Sequence, residues 1–189
     1  MLDYKTATKA QLKEEMKRLA LHVTDASFGT KKEFFHLPNI LGADEIPQAI
    51  ASGAMDGNTW LITLTNKRVI FLDKGLLFGL KQVDINLENV VSVGGKTGLL
   101  LGEITISTTG KNFTIKNVPK LTVIPFTNLV NEVRERYFSS AQNNAAQAGS
   151  ESQSFTSAMD KIARLAQMKE EGILTEEEFQ IQKQRLLNS

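Results

Sequence analysis

Three groups of residues have types and spacings that could do chemistry: Gly94-Gly95-Lys96-Thr97, the two histidines, and the adjacent glutamates. A Gly-Lys-Thr run can cradle a phosphate, because backbone amides and a lysine converge on it. That loop needs an earlier glycine at position 90, which is Val90. It also needs a strand before and a helix after, and strand-like sequence lies on both sides. The reading for Gly94–Thr97 is therefore a turn. His22 and His36 are 14 residues apart, with no carboxylate at a spacing that completes a metal site. Neither has a serine in an elbow-like turn. His36, beside Phe34-Phe35, reads as a partly buried packing residue. Glu14-Glu15 and Glu176–Glu178 read as solvated helix faces, since adjacent glutamates on a helix point apart. The chain has no cysteine, which excludes thiolate catalysis, disulfides and cysteine-based zinc sites. The expectation is a protein without catalytic residues, metal or cofactor, and not an enzyme.

At 189 residues the chain is one domain with appendages, or two small units, and long enough to build a core. Its 22 basic and 21 acidic residues leave a net charge of +1, without the basic excess of a nucleic-acid binder. Met1-Leu-Asp-Tyr-Lys5 carries no apolar signal core. The apolar runs Val69–Leu72 and Leu99–Leu101 are far short of the ~20 residues a membrane span needs. Together with the lack of cysteine, this gives a cytoplasmic expectation.

Periodicity supplies the elements. Leu12, Met16, Leu19 and Val23 make one helical stripe over 8–24, with Thr8 and Gln11 at capping-box spacing. A second short helix is expected over Thr30–Ile40, again with a box at Thr30 and Glu33, and limited by Pro38. From Glu45 to Asn117 the pattern is of strands. These include Ile46–Ser52, Thr59–Thr65, Arg68–Asp73, Gln82–Asn86, Glu103–Ser107 and Asn112–Lys116, with a turn at Ala54–Asn58. Seven strands at this spacing suggest a sandwich or barrel. A helix closes the unit. Pro125 is tolerable only in its first turn, and Phe126, Leu129, Val133 and Tyr137 form its stripe. Ser139–Ser154 is rich in Ser, Gln, Asn, Ala and Gly and reads as a flexible linker that cannot offset its ordering entropy by burial.

The last block, Phe155–Leu187, is sharply punctuated. Gly172 is placed to cap a helix, and Ile173 can fold back towards Met168. Thr175 and Glu178 have capping-box spacing, and Leu174 and Phe179 suit a hydrophobic staple. Glu176–Glu178 fill the first turn, where the helix dipole favours anions. Two such helices cannot bury enough to stand alone, so their apolar face needs a partner.

The run Leu165-Ala-Gln-Met-Lys-Glu-Glu-Gly-Ile-Leu-Thr-Glu-Glu-Glu-Phe179, with Lys183 and Leu186-Leu187, resembles the SHOCT (short C-terminal) family of bacterial proteins. That resemblance implies oligomerisation or protein contact. The middle resembles a bacterial pleckstrin-homology (PH) domain of the YokE-like kind, over about 31–138. It does so through Lys32–Leu41, Leu64–Leu72, Lys74–Gly79 and Gly98–Ile106. The implied fold is α+β. A PH-like seven-stranded bent β-sandwich or partly open barrel carries a capping C-terminal helix, with N-terminal helices before it and a separate helical hairpin after it. The resulting organisation is 1–30, an amphipathic helix and connector; 31–138, the PH-like domain; 139–154, the linker; and 155–189, the hairpin.

Inositide-binding PH domains cluster Lys and Arg around the first inter-strand loop. The matching loop, Ala54–Asn58, has no base and one acid, which argues against a polyanionic headgroup. Lys74, Lys81 and Lys111 are the other cations that could share its end. The turns Leu76-Leu77-Phe78 and Leu99-Leu100-Leu101 are apolar where turns are normally polar. They contact a partner or lipid, or they tuck into the core. The reading is a non-enzymatic interaction or scaffold protein that self-associates through Leu165, Met168, Ile173, Leu174, Phe179, Leu186 and Leu187. Its platform meets an unknown protein partner through Leu76, Leu77, Phe78, Leu99 and Leu100. The alternatives are a peripheral lipid binder with weak membrane contact, and a phage or prophage factor acting on a host protein. No nucleic acid is expected as a partner.

Overall fold

The computed structural model describes residues 2–25, 29–75, 79–171 and 174–187, and only the backbone at 141, 143–158, 160 and 186–187. The chain divides into two compact units, Met1–Phe138 and Ser139–Ser189.

In the first unit, α1 (Lys9–Leu21) starts with the capping box its sequence predicts. The Gln11 amide donates to Thr8 Oγ1 at 3.3 Å, and the Thr8 amide donates to Gln11 Oε1 at 2.8 Å. The expected second helix is shorter: α2 covers Lys31–Phe34, and a separate 3-10 turn covers Leu37–Asn39. The Thr30 box does not form. Glu33 turns instead towards the sheet, where its Oε1 accepts the Lys74 amide at 3.1 Å.

Seven strands follow: β1 (Pro47–Met55), β2 (Asn58–Thr65), β3 (Arg68–Lys74), β4 (Leu80–Asn86), β5 (Ser92–Thr97), β6 (Leu101–Ser107) and β7 (Asn112–Pro119). All neighbours are antiparallel, in the order β4-β3-β2-β1-β7-β6-β5. Asp56 and Gly57 both take positive φ between the paired Met55 and Asn58, the conformation a two-residue hairpin turn requires. The two halves of the sheet, β1–β4 and β5–β7, meet where β1 crosses β7 at Ala54 and Lys116. Next to this junction, a Cβ on Gly53 would lie 2.4 Å from Ile115 Cγ2, so only glycine lets the halves approach so closely.

Two apolar layers flank this sheet. On the inner side Ile62, Leu64, Val69 and Phe71 pack with Ile104, Ile106 and Ile115 and with the closing helix. On the outer side Leu61, Ile70 and Leu72 lie under Leu12, Met16, Leu19, Phe34 and Leu37 of the N-terminal helices. β2 and β3 are covered on both faces, which is why they read as unbroken apolar runs and not as alternation.

Gly94–Thr97 is not a turn: it forms most of β5, paired with β6. Its glycines have a packing role that spacing alone did not reveal. A Cβ on Gly95 would lie 2.6 Å from Val123 Cγ1, and one on Gly102 would lie 2.8 Å from Val123 Cγ2. Both strands are therefore bare where the closing helix presses on them.

That helix, α3 (Lys120–Glu170), begins well before Pro125, which sits inside it and not in its first turn. The missing proline N–H leaves the Leu121 carbonyl without a helical donor, on a side where Leu121 and Ile124 are exposed. Val123, Phe126, Leu129, Val130 and Val133 are buried, and Tyr137 packs against them. Thr122 Oγ1 donates to the carbonyl of Thr24 at 3.1 Å, fastening the two ends of the sheet's frame together. The backbone over 139–154 continues α3 as helix. Low hydrophobicity there argues against burial, but its alanines and glutamines are good helix formers.

In the second unit α3 ends with Glu170, and α4 (Glu176–Leu187) follows. The Leu174 amide donates to the Met168 carbonyl at 3.2 Å across the turn. The Thr175 box forms as its spacing predicts: the Thr175 amide meets Glu178 Oε2 at 3.0 Å, and the Glu178 amide meets Thr175 Oγ1 at 3.3 Å.

Candidate interaction surfaces

The first surface is the β5–β6 hairpin tip. Thr97 pairs with Gly102, and the Gly98 amide donates to the Leu101 carbonyl at 2.8 Å, closing a tight turn with Leu99 and Leu100 at its apex. The carbonyl of Leu100 accepts the Lys120 amide at 3.1 Å, which brings the start of α3 against the turn. Leu99 is 86% exposed and Leu100 78%. Of the two readings for this turn, tucking into the core is thereby excluded. Leu101, Leu121 and Ile124 are also exposed; the helix pair was missed because its stripe was read only from Phe126 onwards. Leu76, Leu77 and Phe78, the matching expectation on β3–β4, lie outside the described residues.

The second surface is the helical hairpin. Lys169 Nζ forms an ion pair with Glu176 and lies 5.4 Å from the centre of the Phe179 ring, and Lys183 Nζ lies 5.9 Å from the same centre. Hydrogen bonding to Lys169 holds the Glu176 carboxyl below the usual carboxylate range, and the Thr175 amide does the same for Glu178. These contacts link the end of α3 to α4, but they bury little. Leu165, Leu174 and Phe179 are half-buried, and Met168 is exposed. Met159 and Ile181, which were not singled out from the sequence, are exposed as well. Ile173 lies outside the described residues, and for Leu186 and Leu187 only the backbone is described.

In the first unit a cavity of about 560 Å³ is lined by Lys32, Glu33, Asp73 and Lys81, with Gly29, Gly57, Gly75 and Gly79 among its walls. Its two lysines are matched by two carboxylates, with Lys81 4.0 Å from Asp73 and Lys32 3.5 Å from Glu33. That balance suits a polyanion poorly. Lys111 instead lies 4.9 Å from the centre of the Phe113 ring. His22 Nδ1 shares a hydrogen with the Gln48 carbonyl at 2.9 Å, and His36 Nδ1 meets Asn39 at 3.3 Å, so the structure does not bring the histidines together. Glu15 is not a freely solvated residue: it accepts the Tyr4 hydroxyl at 2.9 Å and binds Arg18 through both oxygens. Trp60 is buried, its Nε1 donating to the Met55 carbonyl at 2.9 Å, which anchors it in the inner layer.

Compared with known proteins, residues 41–132 match the family model of the bacterial PH domain, and residues 160–187 match that of the short C-terminal domain. Two crystal structures are similar. One is a DUF1696 family protein with a pleckstrin-homology domain from Shewanella loihica PV-4. It has 18% identity and a TM-score of 0.39, over 52% of this chain and 90% of that one. The other is a pleckstrin homology domain from Shewanella amazonensis SB2B. It has 19% identity and a TM-score of 0.40, over 59% of this chain and 92% of that one. No curated protein matches the chain.

Proposed function

For a chain that carries a bacterial PH domain over residues 41–132 followed by a short C-terminal domain over 160–187, we propose a scaffold whose C-terminal helices join copies of the molecule. The PH unit is the platform that each copy contributes. The observation that carries this reading is the poor burial of the second unit. Among its described residues no side chain is buried, and Ile181 and Met159 remain 53% and 50% exposed. Two ordered helices with apolar side chains in water gain stability by covering them against another copy. Copies held together in this way present several platforms at once, and weak single contacts then add through a high effective concentration.

Light scattering across a concentration series tests the reading. The full chain is expected to exceed its monomer mass, and residues 1–138 are expected to remain monomeric. Ile181→Asp, an exposed substitution on α4, is expected to shift the full chain towards monomer. A full chain that stays monomeric at high concentration overturns the proposal.

A further inference from the structure

We propose that the β5–β6 hairpin tip is a shallow anchor that dips into an anionic lipid bilayer. This inference stands apart from self-association, although joined copies would strengthen it. Leu99 and Leu100 occupy the apex of a turn, a position where exposed polar residues are the norm. They are the two most exposed of the large apolar side chains described. Leu101 and, from the first turns of α3, Leu121 and Ile124 extend the apolar surface behind them.

Insertion into lipid demands that backbone polar groups be satisfied from within. The turn meets that demand at the Gly98 amide and at the carbonyls of Leu100 and Leu101. A leucine pair at such an apex is suited to dip into the headgroup–acyl boundary, where headgroups and water still reach the remaining backbone groups of Leu99 and Leu100.

Charge favours the same occupant. Between Asn89 and Asn131 the sequence carries four lysines, Lys96, Lys111, Lys116 and Lys120, against one acid, Glu103. Glu103 stands opposite Lys96 in the ladder. Lys96 and Lys120 bracket the tip in sequence, while Lys111 lies on the β6–β7 turn at the other end of β6. The half-sheet that bears the leucines is thus poor in acids and carries a net positive charge, with the Lys120 amide bonded directly to the tip. Anionic headgroups attract such lysines, and salt screens the attraction. No helix among the described residues is long and apolar enough to cross a membrane, so attachment here is peripheral.

The test is flotation of the full chain with vesicles of phosphatidylcholine alone and of phosphatidylcholine with 30% phosphatidylglycerol. Binding is expected to the anionic vesicles, falling as salt rises. Leu99→Asp with Leu100→Asp is expected to weaken partitioning at least tenfold while leaving the subunit count by light scattering unchanged. A direct readout is Leu100→Trp. The natural chain holds a single tryptophan, the buried Trp60. Quenching of the added indole by brominated lipid is therefore expected if the tip inserts. Absence of flotation, or flotation that the double aspartate variant does not reduce, overturns the proposal. So does a double variant that lowers the subunit count without vesicle binding, because the tip would then be a protein contact.

Discussion

Arg68 holds Glu45 by both carboxylate oxygens: Nε meets Oε1 and Nη2 meets Oε2, each at 2.8 Å. Thr65 Oγ1 and the Gly42 amide donate to the same carboxylate at 3.0 and 2.8 Å. Arg68 also donates through Nη1 to Asp84 at 2.7 Å and through Nη2 to the Ile40 carbonyl at 2.9 Å. One guanidinium therefore ties the segment entering β1 to the β2–β3 turn and to β4. Removing one partner leaves a buried charge uncompensated. Arg68→Met should cost about 3 kcal/mol in chemical denaturation, with an unchanged denaturant slope. Arg68→Lys should fall between, because it keeps the charge but loses the planar fork.

Acid should weaken the same tie. Burial pushes the Glu45 carboxyl up, but hydrogen bonds from Arg68, Gly42 and Thr65 outweigh it and hold the group below its ordinary value. A carboxylate depressed in the folded state contributes stability fully above its unfolded pKa, about 4.3. That contribution is lost as pH falls through the folded value. Unfolding curves between pH 7 and 3 should show Glu45→Gln less stable than the natural chain at neutral pH, with the gap narrowing below about pH 4.3.

The glycines of β5 should separate cleanly. A Cβ on Gly95 would crowd Val123 and Thr127, whereas one on Gly94 would meet nothing within 4 Å. Gly95→Ala should destabilise by about 1–3 kcal/mol, and Gly94→Ala should not. Combining Gly95→Ala with Val123→Ala should be less damaging than the two changes added, by about 1 kcal/mol of coupling in a double-mutant cycle. Strict additivity would mean that the helix does not press on that strand.

Residues 1–138 should fold as a unit. Every buried side chain among the described residues lies within them, from Tyr4 to Val133. Thermal unfolding of the chain ending at Phe138 should remain cooperative, with a midpoint within a few degrees of the same transition in the full chain.

Features that depend on near neighbours were legible in the residues. Thr8 with Gln11 and Thr175 with Glu178 are local hydrogen-bond exchanges, and the spacing that suggests them is the spacing that makes them. The short turns at Ala54–Asn58 and between β2 and β3 join strands that pair as neighbours, for the same reason. What escaped depends on residues far apart in sequence. Thr30 and Glu33 have a box spacing, yet Glu33 finds a better donor in the Lys74 amide. Gly95 looked like part of a turn, because nothing local announces that Val123 will lie on it. The partner of Glu45 stands 23 positions away, and neither residue is unusual alone. On the interaction surfaces, Leu99 and Leu100 stood out because apolar turn residues break a local rule. Leu121 and Ile124 did not, because on a helix they resemble ordinary core.

The bond from Thr122 to the carbonyl of Thr24 spans 98 positions, and its consequence concerns birth of the protein at the ribosome. The first helix and the first hairpins emerge early, but the inner layer they need is completed by side chains of β6, β7 and α3. Until those follow, the growing chain holds an apolar sheet face open to the cell. Folding must therefore close late and over a long loop, and the nascent chain passes through its most vulnerable moment just before residue 122 clears the tunnel.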